Sequence, residues 1–370
     1  MHKVGLIVNP IAGMGGKVGL KGTDGPEIVE LARKLGATAE APFRALQALK
    51  ELEILKDSIE IITCPGAMGE SVANKCGFKV TIIGAEKEET SAEDTRQAAS
   101  EMMKLQIELL LFAGGDGTAR DIYSSIKNAM PVIGIPTGVK MHSSVFALNP
   151  KRAGELALLY LTGKVKGFRE AEVMDIDEEL FRKGIVSARL YGYLKIPFER
   201  RHVQNVKAAT PPSEKYEQEA IAAEVVENME QDCIYIVGPG TTTRQIMQLL
   251  GLDYSLLGVD VVSNGKLLAK DVSEKQLLEI IDDKRSKLIV TPIGGQGYIL
   301  GRGNQQLSPR IIKKIGKDNI IVVSTKSKLH SLKGAPLLVD SGDGEVDEML
   351  AGYIKVITGY KEYAVYPVSF

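Results

Sequence analysis

Short, largely apolar runs punctuate the first part of the chain, each giving way to glycine, a loop or a helical pattern. Val4-Gly5-Leu6-Ile7-Val8, Ile59 to Thr63, Lys79 to Gly84, Leu109 to Ala113 and Val132 to Ile135 read as strands. Runs of this kind suit strands covered on both faces. Between them, apolar residues recur at helical spacing. Asp24-Gly25-Pro26 opens a helix whose stripe is Ile28, Leu31, Ala32 and Leu35, and Gly36 ends it. A second helix is predicted from about Phe43 to Leu55. Ser91-Ala92-Glu93-Asp94 has capping-box spacing, with Asp in place of Glu. Ala119 to Met130 again carries a helical pattern. Alternating strands and helices over residues 1–150 predict an α/β domain with a doubly wound parallel sheet.

The pattern changes near residue 165. Phe168 to Asp177 and Ala188 to Pro197 alternate with period two and are predicted as antiparallel strands with one wet face. Pro211 to Glu230 is charged and helical, with Pro211-Pro212 at its start. Strands follow at Cys233–Val237, Leu257–Val262, Leu288–Thr291, Ile320–Ser324 and Leu337–Asp340. Asn264-Gly265 marks a hairpin turn, and Gly352–Thr358 with Glu362–Val368 a closing hairpin. Residues 165–370 are therefore expected to form a β-rich, α/β-decorated second domain, its C-terminal segment a candidate to return to the first.

A chain of 370 residues can bury two cores. The net charge of −1 gives no electrostatic case for nucleic acid or an anionic membrane. No apolar run approaches a membrane span, and the N-terminus lacks a signal-peptide pattern. Cys64, Cys76 and Cys233 are odd in number and show no metal spacing, as expected of reduced cysteines in a cytoplasmic protein.

The candidate chemistry centres on Gly114-Gly115-Asp116-Gly117-Thr118, between the fourth strand and a helix. Glycines there permit positive φ and close backbone approach, and the helix start offers N–H groups at the positive end of the dipole. Such a turn holds phosphate. Asp116, a carboxylate beside bound phosphates, would take a proton from an attacking hydroxyl; the plainer alternative is an N-cap. Three further loops share the carboxyl edge of the sheet, at Asn9, Gly66 and Thr137, where such folds bind ligands. Lys140 follows Thr137-Gly138 as a phosphate partner, whereas His142 reads better as a satisfied surface histidine. Gly238-Pro239-Gly240-Thr241-Thr242-Thr243 repeats the form of strand, glycine turn, hydroxyls and helix start, and is a second candidate anion-binding turn or a Thr-capped helix.

The Gly114–Thr118 motif resembles the signature of the kinase superfamily that holds NAD kinases, diacylglycerol and sphingosine kinases and 6-phosphofructokinases. Thr291-Pro292-Ile293-Gly294-Gly295-Gln296-Gly297-Tyr298 resembles the T-P-T-G-S-T-A-Y element of NAD kinases, and Glu172-Val173 the end of their N-E-V element. The chain as a whole is similar to the ATP–NAD kinase-like branch that includes proteins encoded beside acetoin-catabolism genes. The resemblance implies an NAD kinase-like fold, ATP and Mg2+ or another divalent metal as cofactors, transfer to the 2′-hydroxyl of NAD, and self-association into a homo-oligomer. It implies Asp116 as the catalytic base. Asn9, Gly114, Gly115, Gly117, Thr118 and Thr137 would meet nucleotide and phosphates, as would Glu172, Gly294 and Tyr298; Lys140, a phosphate partner on its chemistry alone, lies in a Lys140-Met141-His142 run where NAD kinases have a Gly- and Asn-rich segment. The frame departs from the family at Ala171, where Asn is usual, and at Gly295, Gln296 and Gly297, where Ser, Thr and Ala touch the dinucleotide. Gly295 and Gly297 would leave a wider pocket. Another hydroxylated metabolite as acceptor, or a nucleotide-binding regulator without turnover, are the alternatives. A diacylglycerol-type lipid is disfavoured, because no amphipathic surface helix is evident.

Overall fold

The computed structural model describes residues 1–16, 18–20, 26–87, 89–137, 141–176, 188–198, 214–255 and 257–370. The chain divides into two units, Met1–Met14 with Gly22–Val206, and Gly15–Lys21 with Lys207–Phe370.

The first unit is built on five strands, β1 (His2–Val8), β2 (Ile59–Thr63), β3 (Lys79–Ile82), β4 (Leu109–Gly114) and β5 (Val132–Pro136), in the order β3-β2-β1-β4-β5. Every pairing is parallel. Leu109 to Ala113 are all fully buried, which is why β4 reads as a continuous apolar run. The crossover helices are α1 (Pro26–Lys34), α2 (Ala41–Lys50), α3 (Glu70–Lys75), α4 (Ala92–Lys104) and α5 (Asp116–Ile126), with α6 (Pro150–Leu161) after β5. Of these, α2 packs on α6, and α4 on α5. The second helix is shorter than the sequence predicts, and Glu53–Ser58 continues as a 3-10 turn. The chain moves outward from β1 to β2 and β3, then returns to place β4 on the other side of β1. The sheet therefore reverses direction between β1 and β4, and ligands of such sheets bind outside the carboxyl ends at that switch point.

Two antiparallel strands, β6 (Phe168–Ile176) and β7 (Ala188–Pro197), also belong to the first unit rather than opening the second. Serine hydroxyls hold β6 there. Ser143 Oγ donates to the Met174 carbonyl at 2.9 Å and accepts the Met174 N–H at 3.0 Å, and Ser144 Oγ accepts the Glu172 N–H at 2.8 Å. Gly192 of β7 lies flat on α5, where an added Cβ would stand 2.1 Å from Tyr123 Cζ.

The second unit carries a nine-stranded mixed sheet. Its strands are β8 (Ile234–Val237), β9 (Asp260–Ser263), β10 (Lys266–Ala269), β11 (Ser286–Val290), β12 (Tyr298–Leu300), β13 (Ile320–Val323), β14 (Leu337–Val339), β15 (Gly352–Gly359) and β16 (Glu362–Ser369). They lie in the order β10-β9-β8-β11-β13-β15-β16-β14-β12. The neighbours β8, β11 and β13 are parallel. Asn264 and Gly265 both adopt positive φ in the β9–β10 hairpin, as a tight two-residue turn demands. The closing hairpin, β15–β16, pairs within this sheet rather than returning to the first. Pro211-Pro212 and the Asp24-Gly25 helix start lie outside the described residues.

Candidate active site

Helix α5 begins on Asp116, three residues earlier than the apolar pattern predicts. Gly117 and Thr118 consequently sit in its first turn, where backbone N–H groups lack intrahelical acceptors. The N-cap is Gly115, with extended backbone, and none of Gly114, Gly115 and Gly117 has positive φ. Close approach is what these glycines provide. A Cβ on Gly114 would lie 2.4 Å from Thr118 Oγ1, whereas Gly115 faces open space and a Cβ on Gly117 would meet only the far end of Arg120 at 3.9 Å.

Asp116 does not cap its own helix. Its buried carboxylate reaches the loop after β5, where Oδ2 accepts the His142 N–H at 2.6 Å and Oδ1 the Ser143 N–H at 3.0 Å. His142 Nδ1 stands 3.4 Å from the same Oδ2. His142 is buried, contrary to the surface position expected, and its Nε2 has no hydrogen-bond partner among the described residues. The Asp116–His142–Ser143 constellation is the part of the site that sequence reading missed. Its one legible trace is the polar His142-Ser143-Ser144 run directly after a strand-end turn.

Asn9 leaves the end of β1, its N–H bonded to the Ala113 carbonyl at 2.9 Å. Its Nδ2 donates to Thr118 Oγ1 at 3.0 Å and its Oδ1 accepts the Ile11 N–H at 3.3 Å. Thr137 joins from the end of β5, its N–H on the Gly114 carbonyl at 3.2 Å and its buried hydroxyl without a partner among the described residues. Asn9, Gly114 to Thr118 and Thr137 thus meet at the switch point of the sheet. Lys140 lies outside the described residues. Glu172 sits on β6, its backbone bonded to Ser144 in both directions. Its charge favours the Arg169 guanidinium, but burial is the larger influence and moves that group below its usual range.

At the carboxyl ends of β1, β2 and β3, the loops after these strands and the start of α4 line a cavity of about 710 Å³ that the Gly114–Thr118 turn does not itself line. Ile11, Cys64, Met68, Ile83 and Lys87 are among its lining residues. Burial and the carboxylates of Glu101 and Asp94 push the Cys64 thiol up to about 11. All three cysteines are free and buried.

Gly294 and Tyr298 lie in the second unit, in and after the turn that leaves β11. Tyr298 is a core residue, with the Arg302 guanidinium 4.6 Å from its ring centroid. Gly295 and Gly297 have φ of 76° and 82°. A Cβ at Gly297 would touch Leu332 and the Pro336 carbonyl, both at 3.3 Å. The backbone of the turn thus requires these glycines, and at Gly297 they do not widen a pocket.

Residues 4–165 match the ATP-NAD kinase N-terminal domain, and residues 230–368 match the ATP-NAD kinase C-terminal domain. No curated protein matches the chain. Two structures of a candidate diacylglycerol kinase from Bacillus anthracis str. Sterne are similar to it, at 16% identity with a TM-score of 0.27 and at 17% with 0.26. Each match covers 48% of this chain and 46% of the other, so the chain spans about half the length of these relatives.

Proposed function

The chain belongs to the ATP-NAD kinase family, and we propose that it is a kinase-type phosphotransferase that transfers the terminal phosphoryl group of ATP to the 2′-hydroxyl of NAD. The observation that carries the proposal is the buried Asp116 carboxylate in the first turn of α5, at the switch point of the parallel sheet. Phosphoryl transfer asks for in-line positioning and charge stabilisation more than covalent help. The N–H groups of Gly117 and Thr118 serve as donors to the phosphates, with Gly115 leaving room for them. Asn9 fixes the Thr118 hydroxyl. Bonds from His142 and Ser143 fix how the Asp116 carboxylate is aimed. Asp116 then accepts the proton of the attacking hydroxyl. The cavity at the carboxyl ends of β1, β2 and β3 is of a size for the donor nucleoside.

The family implies a divalent metal. Among the described residues no group of three or more His, Cys, Asp and Glu side chains gathers to hold one. Both Asp116 oxygens are also engaged by backbone N–H groups. The described residues do not form a metal centre of their own. Magnesium needs few protein ligands when phosphates and waters supply the rest. It is assigned here to the nucleotide, and no step runs through an ion held by the protein.

Ala171, Gly295, Gln296 and Gly297 favour one second reading, a different hydroxylated metabolite as acceptor, since altered hydrogen-bonding groups change discrimination. A regulator without turnover is disfavoured, because a pure nucleotide binder gains nothing from a carboxylate in its phosphate turn. A thermal-shift screen across ATP, NAD, NADP and related nucleotides separates the acceptors. Ligands that bind only the folded chain raise the melting temperature by mass action. ATP and NAD should each do so. A shift with ATP and another hydroxylated compound, but none with NAD, would reject NAD.

A further inference from the structure

Strands β6 and β7 press one face onto the core of the first unit and leave the other open. Ala171, Val173, Leu194 and Ile196 are buried, and Gly192 lies on α5. Side chains alternate across a strand, so Glu170, Glu172, Tyr193 and Lys195 stand on the opposite face. The register pairs Glu172 directly with Tyr193, and Glu170 with Lys195. Directly opposed side chains share a face and lie within reach of each other. Lys195 Nζ sits 4.1 Å from the centre of the Phe168 ring. Tyr193 is 42% exposed, and among the described residues no cation or second ring covers it.

This face is continuous with the Asp116 site. Ser143 and Ser144, neighbours in the chain, hold Asp116 on one side and Glu172 on the other. The Ser143 N–H donates to Asp116 Oδ1 at 3.0 Å. The Ser144 N–H donates to the Glu172 carbonyl at 2.9 Å, and its hydroxyl accepts the Glu172 N–H at 2.8 Å. A second link runs through β7. Tyr191 is the extra residue of a β-bulge, between Leu190 opposite Met174 and Gly192 opposite Val173. Bulges re-aim side chains next to active sites. The Arg120 guanidinium lies 5.8 Å from the centre of the Tyr191 ring, and its Nη2 is the atom 3.9 Å from where a Cβ on Gly117 would stand. The aromatic strand pair therefore runs up to the first turn of α5.

We propose that Tyr193 is the stacking platform for the aromatic base of the acceptor nucleotide, and so a residue that sets acceptor specificity. The proposal rests on the reading of Asp116 as the place where a nucleotide hydroxyl reacts. Every base has a π-face to lay on an aromatic side chain. The Glu170 and Glu172 carboxylates on the same face suit the exocyclic N–H groups of a base and disfavour an anionic surface as occupant.

Calorimetric titration of the full chain with NAD tests it, with Tyr193→Leu and Tyr193→Phe beside the parent protein and ATP as a control ligand. Tyr193→Leu keeps an apolar side chain but has no ring, and should bind NAD about tenfold more weakly. Tyr193→Phe keeps the ring and should bind NAD about as the parent does. ATP, whose nucleoside is assigned to the cavity at the carboxyl ends of β1, β2 and β3, should bind all three alike, which a general structural defect would not allow. Equal NAD affinity in the parent and Tyr193→Leu would overturn the proposal. So would a parent that sediments as a dimer and becomes a monomer in Tyr193→Leu, since the face would then belong to a second copy of the chain. The titration reads binding alone. NADP formation with unchanged NAD affinity in Tyr193→Leu rejects the platform and leaves the kinase reading standing, whereas weakened binding without any NADP formation upholds the platform and rejects NAD as acceptor.

Discussion

At the scale of single residues, the proposed chemistry rests on Asp116 and the groups that aim it. Asp116→Asn keeps the shape of the side chain but cannot take the proton. Turnover should fall by about 10²-fold or more while ATP binding, read by thermal shift, is retained. An Asn variant that turns over near the parental rate would remove Asp116 from its role. Asp116 was legible in the sequence because a lone carboxylate inside a glycine turn stands out. Its anchor was not. His142 and Ser143 lie 26 and 27 positions away, and their contribution to the carboxylate is made by backbone N–H groups, which every residue but proline possesses. Gly295 and Gly297 show the opposite difficulty. Read as missing side chains they suggest space, whereas their positive φ shows that the turn's backbone asks for them.

At the scale of elements, β1, β2, β4 and β5 were legible because burial leaves largely apolar runs, whereas the edge strand β3 is mostly exposed and its Lys79 and Thr81 interrupt the pattern. The capping box of α4 was legible too. Asp94 Oδ2 accepts from both the N–H and the hydroxyl of Ser91, each at 2.8 Å, and Lys87 binds the other oxygen. The Lys87 ammonium first, and the Ser91 donors after it, hold the Asp94 carboxyl below its usual range. A carboxyl so depressed stabilises the fold above its unfolded value, and the benefit is lost as pH falls through the folded one. Asp94→Asn should therefore cost about 1 kcal/mol near neutral pH in urea unfolding, and the gap from the parent should close on acidification. Equal stability at neutral pH would show that the box contributes nothing. The β6–β7 hairpin was legible as a pair but not by its unit. Its attachment runs through the Ser143 and Ser144 hydroxyls to strand positions 28 to 31 residues on, and no periodicity records such bonds.

At the scale of the whole molecule, two units with their own sheets match the two domains of one kinase family in the same order along the chain. Among the described residues no helix is long and apolar enough to cross a membrane. Membership of the family supports the proposed phosphoryl transfer; the proposed acceptor rests on details within its frame. The measurement that bears most directly on the account is a phosphoryl-transfer assay of the full chain under saturating ATP and magnesium, with NAD set against a panel of nucleosides and small alcohols. NADP and ADP should appear in equal amounts when NAD is supplied. No NADP from NAD, together with phosphorylation of another panel member, would contradict the assignment of NAD, and no ADP with any acceptor would contradict the kinase itself.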